Sequence, residues 1–142
     1  MYQKILVALE NGPADDTILP HITQLALHFG STLLLLHVAD GWAARNFNKL
    51  DLAESEEMKE DRAYLEKTAT LLRAQNLTVT THLALGNPPT EILKTATAEN
   101  CDLIAVTSHG HRLLGDLFHG STITQVRHNT HIPLLVLRAK KI

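Results

Sequence analysis

"LIAVTSHGHRLLGDLFHGST", residues 103–122, holds the sequence of signals that decides the fold. Four apolar residues at 103–106 run straight into polar sequence with glycines at 110, 115 and 120, and "GST" at 120–122 opens a segment of helical spacing. An unbroken apolar run this short suits a strand buried on both faces, as in a parallel sheet. A strand that gives way to glycines and then to a helix is either a phosphate cradle or a plain βα connection.

Three more runs of the same kind lie elsewhere: "ILVAL" (5–9), "TLLLLHV" (32–38) and "LLVL" (134–137). A fifth segment, "LTVTTHLALG" (77–86), alternates instead. Leu77, Val79, Thr81, Leu83 and Leu85 fall on one face, and Thr78, Thr80, His82 and Ala84 on the other, which predicts a half-exposed strand near a sheet edge. Helical spacing fills the gaps. Ile18, Ile22, Leu25, Ala26 and Phe29 form one stripe, and Pro20 places that helix's start near Asp16 or Thr17 because proline suits a first turn. Met58, Leu65, Ala69 and Leu72 form a stripe on the charged segment 51–75. Shorter helices follow at 90–99, after "NPP", and at 121–129. Segment 39–56, with Trp42 and Phe47, has no clear period and reads as a long loop.

The order β-α-β-α-β-α-β-α-β predicts an α/β fold: a single open parallel five-stranded sheet with right-handed crossovers and helices on both faces, Rossmann-like. With the alternating third strand at an edge, the strand order is 3-2-1-4-5. Ligands of such sheets sit outside the carboxyl ends of the strands, where the order reverses. That point falls between strands 1 and 4, at the loops "ENGPADD" (10–16) and 107–122. Gly110 and Gly120 allow close backbone approach. The amides at the start of the fourth helix suit an anion, and the Ser121 and Thr122 hydroxyls add donors. "TITQ" (122–125) also fits a capping box, so the same residues serve equally as a helix cap.

Composition narrows the functions. The 142 residues fit one domain, 1–142, of ordinary size, with 44% hydrophobic content and a net charge of −2. Neither the charge nor the 4% aromatic content suits a nucleic-acid surface. The first apolar run is too short for a signal peptide, and none approaches the ~20 residues of a membrane span. A lone cysteine, Cys101, beside a buried strand reads as structural and fits a reducing compartment. A cytoplasmic protein with no membrane or nucleic-acid partner is expected. No Gly-Lys-(Ser/Thr) accompanies an acidic metal ligand, so fast P-loop hydrolysis is excluded. The histidines, five of them in the last third, follow no metal-ligand spacing, and no protein metal site or catalytic residue is expected. His109, beside Gly110, is the histidine placed to approach a ligand.

The whole chain resembles the universal stress protein family. "KILVALENG", "LLLLHV", "GNPPTEIL", "CDLIAVTSHG" and "IPLLVLR" carry the likeness. The family's nucleotide binders have Gly-x2-Gly-x9-Gly-(Ser/Thr) after strand 4; here Thr107-Ser-His-Gly110 is followed nine residues later by Gly120-Ser121-Thr122. The resemblance implies a stress-response regulator that binds ATP or AMP, with Mg2+ accompanying the nucleotide and at most slow hydrolysis. By position, Ala8, Leu9 and Glu10 line the adenosine side. Val38 meets the adenine, and Val106 and Thr107 flank the ribose. Gly110, Gly120, Ser121 and Thr122 hold the phosphates. Thr107 replaces the motif's first glycine, Glu10 a common aspartate, and Ala8 a frequent proline. Thr107 either crowds the site or supplies a hydroxyl. The alternative is a dimeric stress module that binds no nucleotide and acts through a protein partner. Under either reading the resemblance implies a homodimer formed through the last strand.

Overall fold

The computed structural model describes residues 1–39, 56–109 and 120–140. Its elements run β1 (Lys4–Ala8), α1 (Asp15–Phe29), β2 (Thr32–Ala39), α2 (Glu56–Arg73), β3 (Thr78–Leu85), α3 (Pro88–Ala98), β4 (Leu103–Ser108), α4 (Gly120–His128) and β5 (Leu134–Arg138). The loop expected over 39–56, with Trp42 and Phe47, lies outside the described residues except at its ends, Ala39 in β2 and Glu56 in α2.

All five strands form one sheet in the order β3-β2-β1-β4-β5, parallel throughout. β1 is central: Ile5 pairs with Leu33 on one side and Leu103 on the other. Alternate side chains of each strand point to opposite faces, so the apolar runs must build two cores. They do. Ile5, Val7 and Leu9 join Leu33, Leu35, Leu103 and Ala105 beneath α1 and α2, through Ile18, Ile22, Leu65 and Ala69. On the opposite face Leu6, Ala8, Leu34, Leu36, Ile104 and Val106 pack against Ile92, Ala96 and Val126 of α3 and α4. Helices therefore cover both faces, as the runs require.

Local signals set the ends of the helices. Gly30 stops α1 with φ +68°, a left-handed conformation open to glycine, and its amide and that of Ser31 both return to the Ala26 carbonyl. Asn87 caps α3 by accepting from the Thr90 amide, with Pro88 and Pro89 in the positions where a missing N–H costs nothing.

α1 begins at Asp15, earlier than Pro20 suggested, so that proline sits in the second turn. It has no N–H for the Asp16 carbonyl four residues back, but both residues are exposed and water can serve instead. α4 opens at Gly120, so Thr122 lies inside the first turn and not at the cap that "TITQ" suggested. On β3, Val79 is buried and Thr78, Thr80 and His82 are exposed, as an edge strand requires. Ala84 departs from that alternation because it packs under the second core with Leu36 and Val38. The other edge is β5, whose Val136 is 43% exposed.

Candidate functional site

β1 and β4 lie side by side, with Val7 opposite Ala105. The helices that follow them lie on opposite faces of the sheet. β1 feeds α1 on one face, and β4 leads to α4 on the other. In open parallel sheets such a divergence is where ligand crevices form. α4 must present its N-terminus to the same edge, because its C-terminus at His128 is only a few residues from the start of β5.

Several candidate residues gather here. Ala8, Leu9, Val38, Val106 and Thr107 have almost no accessible surface; Leu9 belongs to the first core, and Ala8, Val38 and Val106 to the second. Glu10 follows β1, and His109 follows β4. The His109 Nε2 lies 2.8 Å and 3.0 Å from the two Glu10 carboxylate oxygens. Their side chains are 13% and 8% exposed, so this contact is largely removed from water. Thr107 donates its hydroxyl to the same carboxylate at 3.3 Å. The residue that departs from the family's glycine thus turns its hydroxyl onto Glu10 and stays wholly buried.

Gly120, Ser121 and Thr122 provide the first amides of α4, whose acceptors a helix does not itself supply. With the positive end of the helix dipole, they are suited to an anion. Ser121 is exposed and Thr122 is buried. Gly110 lies outside the described residues. No group of three or more His, Cys, Asp and Glu side chains among the described residues is arranged to hold a metal ion, and no described helix is long and apolar enough to cross a membrane.

A second set of polar residues supports the crevice from below, and sequence pattern alone did not reveal it. Asp15, only 1% exposed, accepts from the Glu10 amide at 3.0 Å, the Asn11 amide at 2.9 Å and the Tyr64 hydroxyl at 2.5 Å. Asp61 accepts from the Asn11 side-chain amide at 2.9 Å and faces His37 Nε2 at 3.2 Å. His37 Nδ1 donates to the Leu9 carbonyl at 2.8 Å, since a carbonyl can only accept. His37 and Asp61 are both buried. Burial, and the Asp15 carboxylate beside it, push the Tyr64 phenol well above its ordinary range. Two signals in the sequence could have found this set. A histidine inside an apolar, doubly buried strand needs polar partners. Asp61 also fills the gap between Met58 and Leu65 in the buried stripe of α2.

The Universal stress protein family model matches residues 1–138 of the chain. Universal stress protein MJ0577 of Methanocaldococcus jannaschii is 27% identical, over 99% of this chain and 97% of its own length. The solved structure of MJ0577 aligns with a TM-score of 0.80 at 26% identity, covering 100% of this chain and 99% of that one. A universal stress protein from Archaeoglobus fulgidus, solved in complex with dAMP, aligns with a TM-score of 0.69 at 17% identity, covering 95% of this chain and 97% of that one. Another, solved in complex with cAMP, reaches 0.69 at 15% identity over 98% of both chains. At those identities the last two share the fold.

Proposed function

The chain belongs to the universal stress protein family, and from that membership we propose that it is a cytoplasmic, one-domain stress regulator that binds ATP in the β1–β4 crevice. Mg2+ accompanies the nucleotide, AMP is the close competitor, and hydrolysis is slow at most. The observation that carries the reading is the pairing of two features at one switch point. The first amides of α4, at Gly120, Ser121 and Thr122, suit phosphate, and Glu10 stands at the end of β1 as an acceptor for a ribose hydroxyl. Val38 is assigned to the adenine, Ala8 and Leu9 to the adenosine side, Val106 and Thr107 to the ribose, and Gly110 to the phosphates. His109 holds Glu10 until the ribose hydroxyl takes its place. The ligands of the dAMP-bound and cAMP-bound relatives support an adenine nucleotide. The part-exposed edge strand β5, with Val136 outward, supports a homodimer formed through it.

One observation favours the alternative, a dimer that works through protein partners alone. The Glu10 carboxylate already receives His109 and Thr107, so a ribose hydroxyl must compete with contacts that are already made. Calorimetric titration of the purified protein with ATP and Mg2+ separates the two. The nucleotide reading expects saturable heat, a raised melting temperature, and loss of both in Gly120→Trp with the dimer intact. No heat and no thermal shift in the unaltered protein would refute it.

A further inference from the structure

Four backbone groups and the Asn11 side-chain amide, between Leu9 and Asn11, are held by groups outside that segment. The Leu9 amide donates to the Leu36 carbonyl at 2.8 Å, and the Leu9 carbonyl accepts from His37. The Glu10 and Asn11 amides both end on Asp15. The Asn11 side chain reaches Asp61 on α2, fifty positions away in sequence. Asn11 also sits at φ +59°, a left-handed conformation that asparagine tolerates better than most residues but that still needs support.

Two buried ionisable groups, His37 and Asp61, are costly to keep away from water and add no apolar packing. Their placement gives them a use. His37 bridges β1 to Asp61, and Asp61 bridges His37 to Asn11, so together they clamp both sides of Glu10. Asp15 and Tyr64 close the clamp on the α1 side.

We propose that Asp61 and His37 are positioning residues for the nucleotide crevice. They touch no ligand themselves. Through the Leu9 carbonyl and the Asn11 side chain they hold Glu10 in the one orientation that places its carboxylate between β1 and β4. The physical reason is preorganisation: His109 and Thr107 hold the carboxylate itself, but where it sits depends on the backbone that carries it, and ordering that backbone at the moment of binding would weaken affinity. The inference rests on the proposed nucleotide reading for its effect on affinity, but its structural half stands separately.

The test uses the full chain with Asp61→Leu, Asp61→Asn and Asn11→Gly. Asp61→Asn keeps an acceptor for Asn11 and a group that can face His37. Asn11→Gly keeps the left-handed backbone and deletes the bond to Asp61, and its site is exposed, so it folds even where Asp61→Leu does not. Two readouts are taken. The first, without nucleotide, is the amide shifts and hydrogen exchange of Glu10 and Asn11 by NMR, with the nitrogen shifts of His37. The second is the affinity for ATP with Mg2+. Expected are a hydrogen on His37 Nδ1 in the unaltered protein and faster exchange confined to residues 9–11 in Asn11→Gly and Asp61→Leu. Affinity in those two falls by about tenfold, the effect of one lost charge-assisted hydrogen bond, and Asp61→Asn restores most of it. Unchanged hydrogen exchange at the Glu10 amide in Asn11→Gly overturns the proposal, as does affinity within about twofold of the unaltered protein, well inside the effect of a lost bond. If the unaltered protein binds no ATP, the proposed function falls, and the clamp is judged on the amides and His37 alone.

Discussion

Replacing Asp15 with alanine should be among the most damaging single changes in this protein. The carboxylate is 1% exposed and ends three hydrogen bonds, from the Glu10 amide, the Asn11 amide and the Tyr64 hydroxyl. Alanine leaves three donors with no acceptor. A buried donor so stranded costs about 1–3 kcal/mol. Asn11 is exposed, so water reaches its amide and holds that part to the low end. Asp15 also opens α1, where a negative charge favours the helix dipole by roughly 0.5 kcal/mol. The sum is about 3.5–7.5 kcal/mol, a fall in melting temperature of roughly 12–25 °C for a chain of this size. Asp15→Asn keeps one acceptor oxygen and should lose only about 1–2 kcal/mol, the worth of one charge-assisted bond. Urea denaturation followed by circular dichroism at pH 7 measures both. A double-mutant cycle with Tyr64→Phe should return a coupling of about 1–2 kcal/mol between the two side chains. A loss below about 1 kcal/mol in Asp15→Ala, less than a single stranded donor costs, would mean the carboxylate does not organise the loop as described.

Two further outcomes are expected. Tyr64 should keep its proton in the folded protein well above the ordinary phenol value of 10.0, because burial and Asp15 oppose the phenolate. Since the unfolded chain ionises first, this phenol's contribution to stability is complete below that value and is lost as pH rises from there toward the folded-state value. Ultraviolet titration alongside Tyr64→Phe checks it, and a Tyr64 that ionises near pH 10 in the native protein would contradict it. The Cys101 thiol is pushed up to about 11, by burial first, with the Lys4 charge opposing the rise. It should resist a thiol reagent such as dithionitrobenzoate at pH 8 until denaturant is added, whereas complete labelling of folded protein within minutes would contradict its burial.

The sequence alone determined the architecture, because burial on two faces leaves a direct mark. A strand covered by helices above and below carries mostly apolar side chains, and so "ILVAL", "LLLL" and "LIAV" announce their places without reference to the rest of the chain. The one alternating segment, β3, marked itself as an edge in the same way, and the strand order followed from that. The switch point between β1 and β4 was legible too, since it is a property of the order and not of particular side chains.

Only the tertiary structure decided what the polar residues do. Thr107 was readable as an obstruction or as a donor, and the choice depended on where the Glu10 carboxylate lies; its hydroxyl turns out to face that carboxylate. His37 looked like one residue of a strand and Asp61 like one charge among many on a surface helix. Their meeting at 3.2 Å requires β2, α2 and the loop after β1 to converge on one point. Apolar packing is decided by periodicity and is local to each element. A buried hydrogen bond depends on distance and direction between groups that the chain separates, and it exists only after the fold has brought them together.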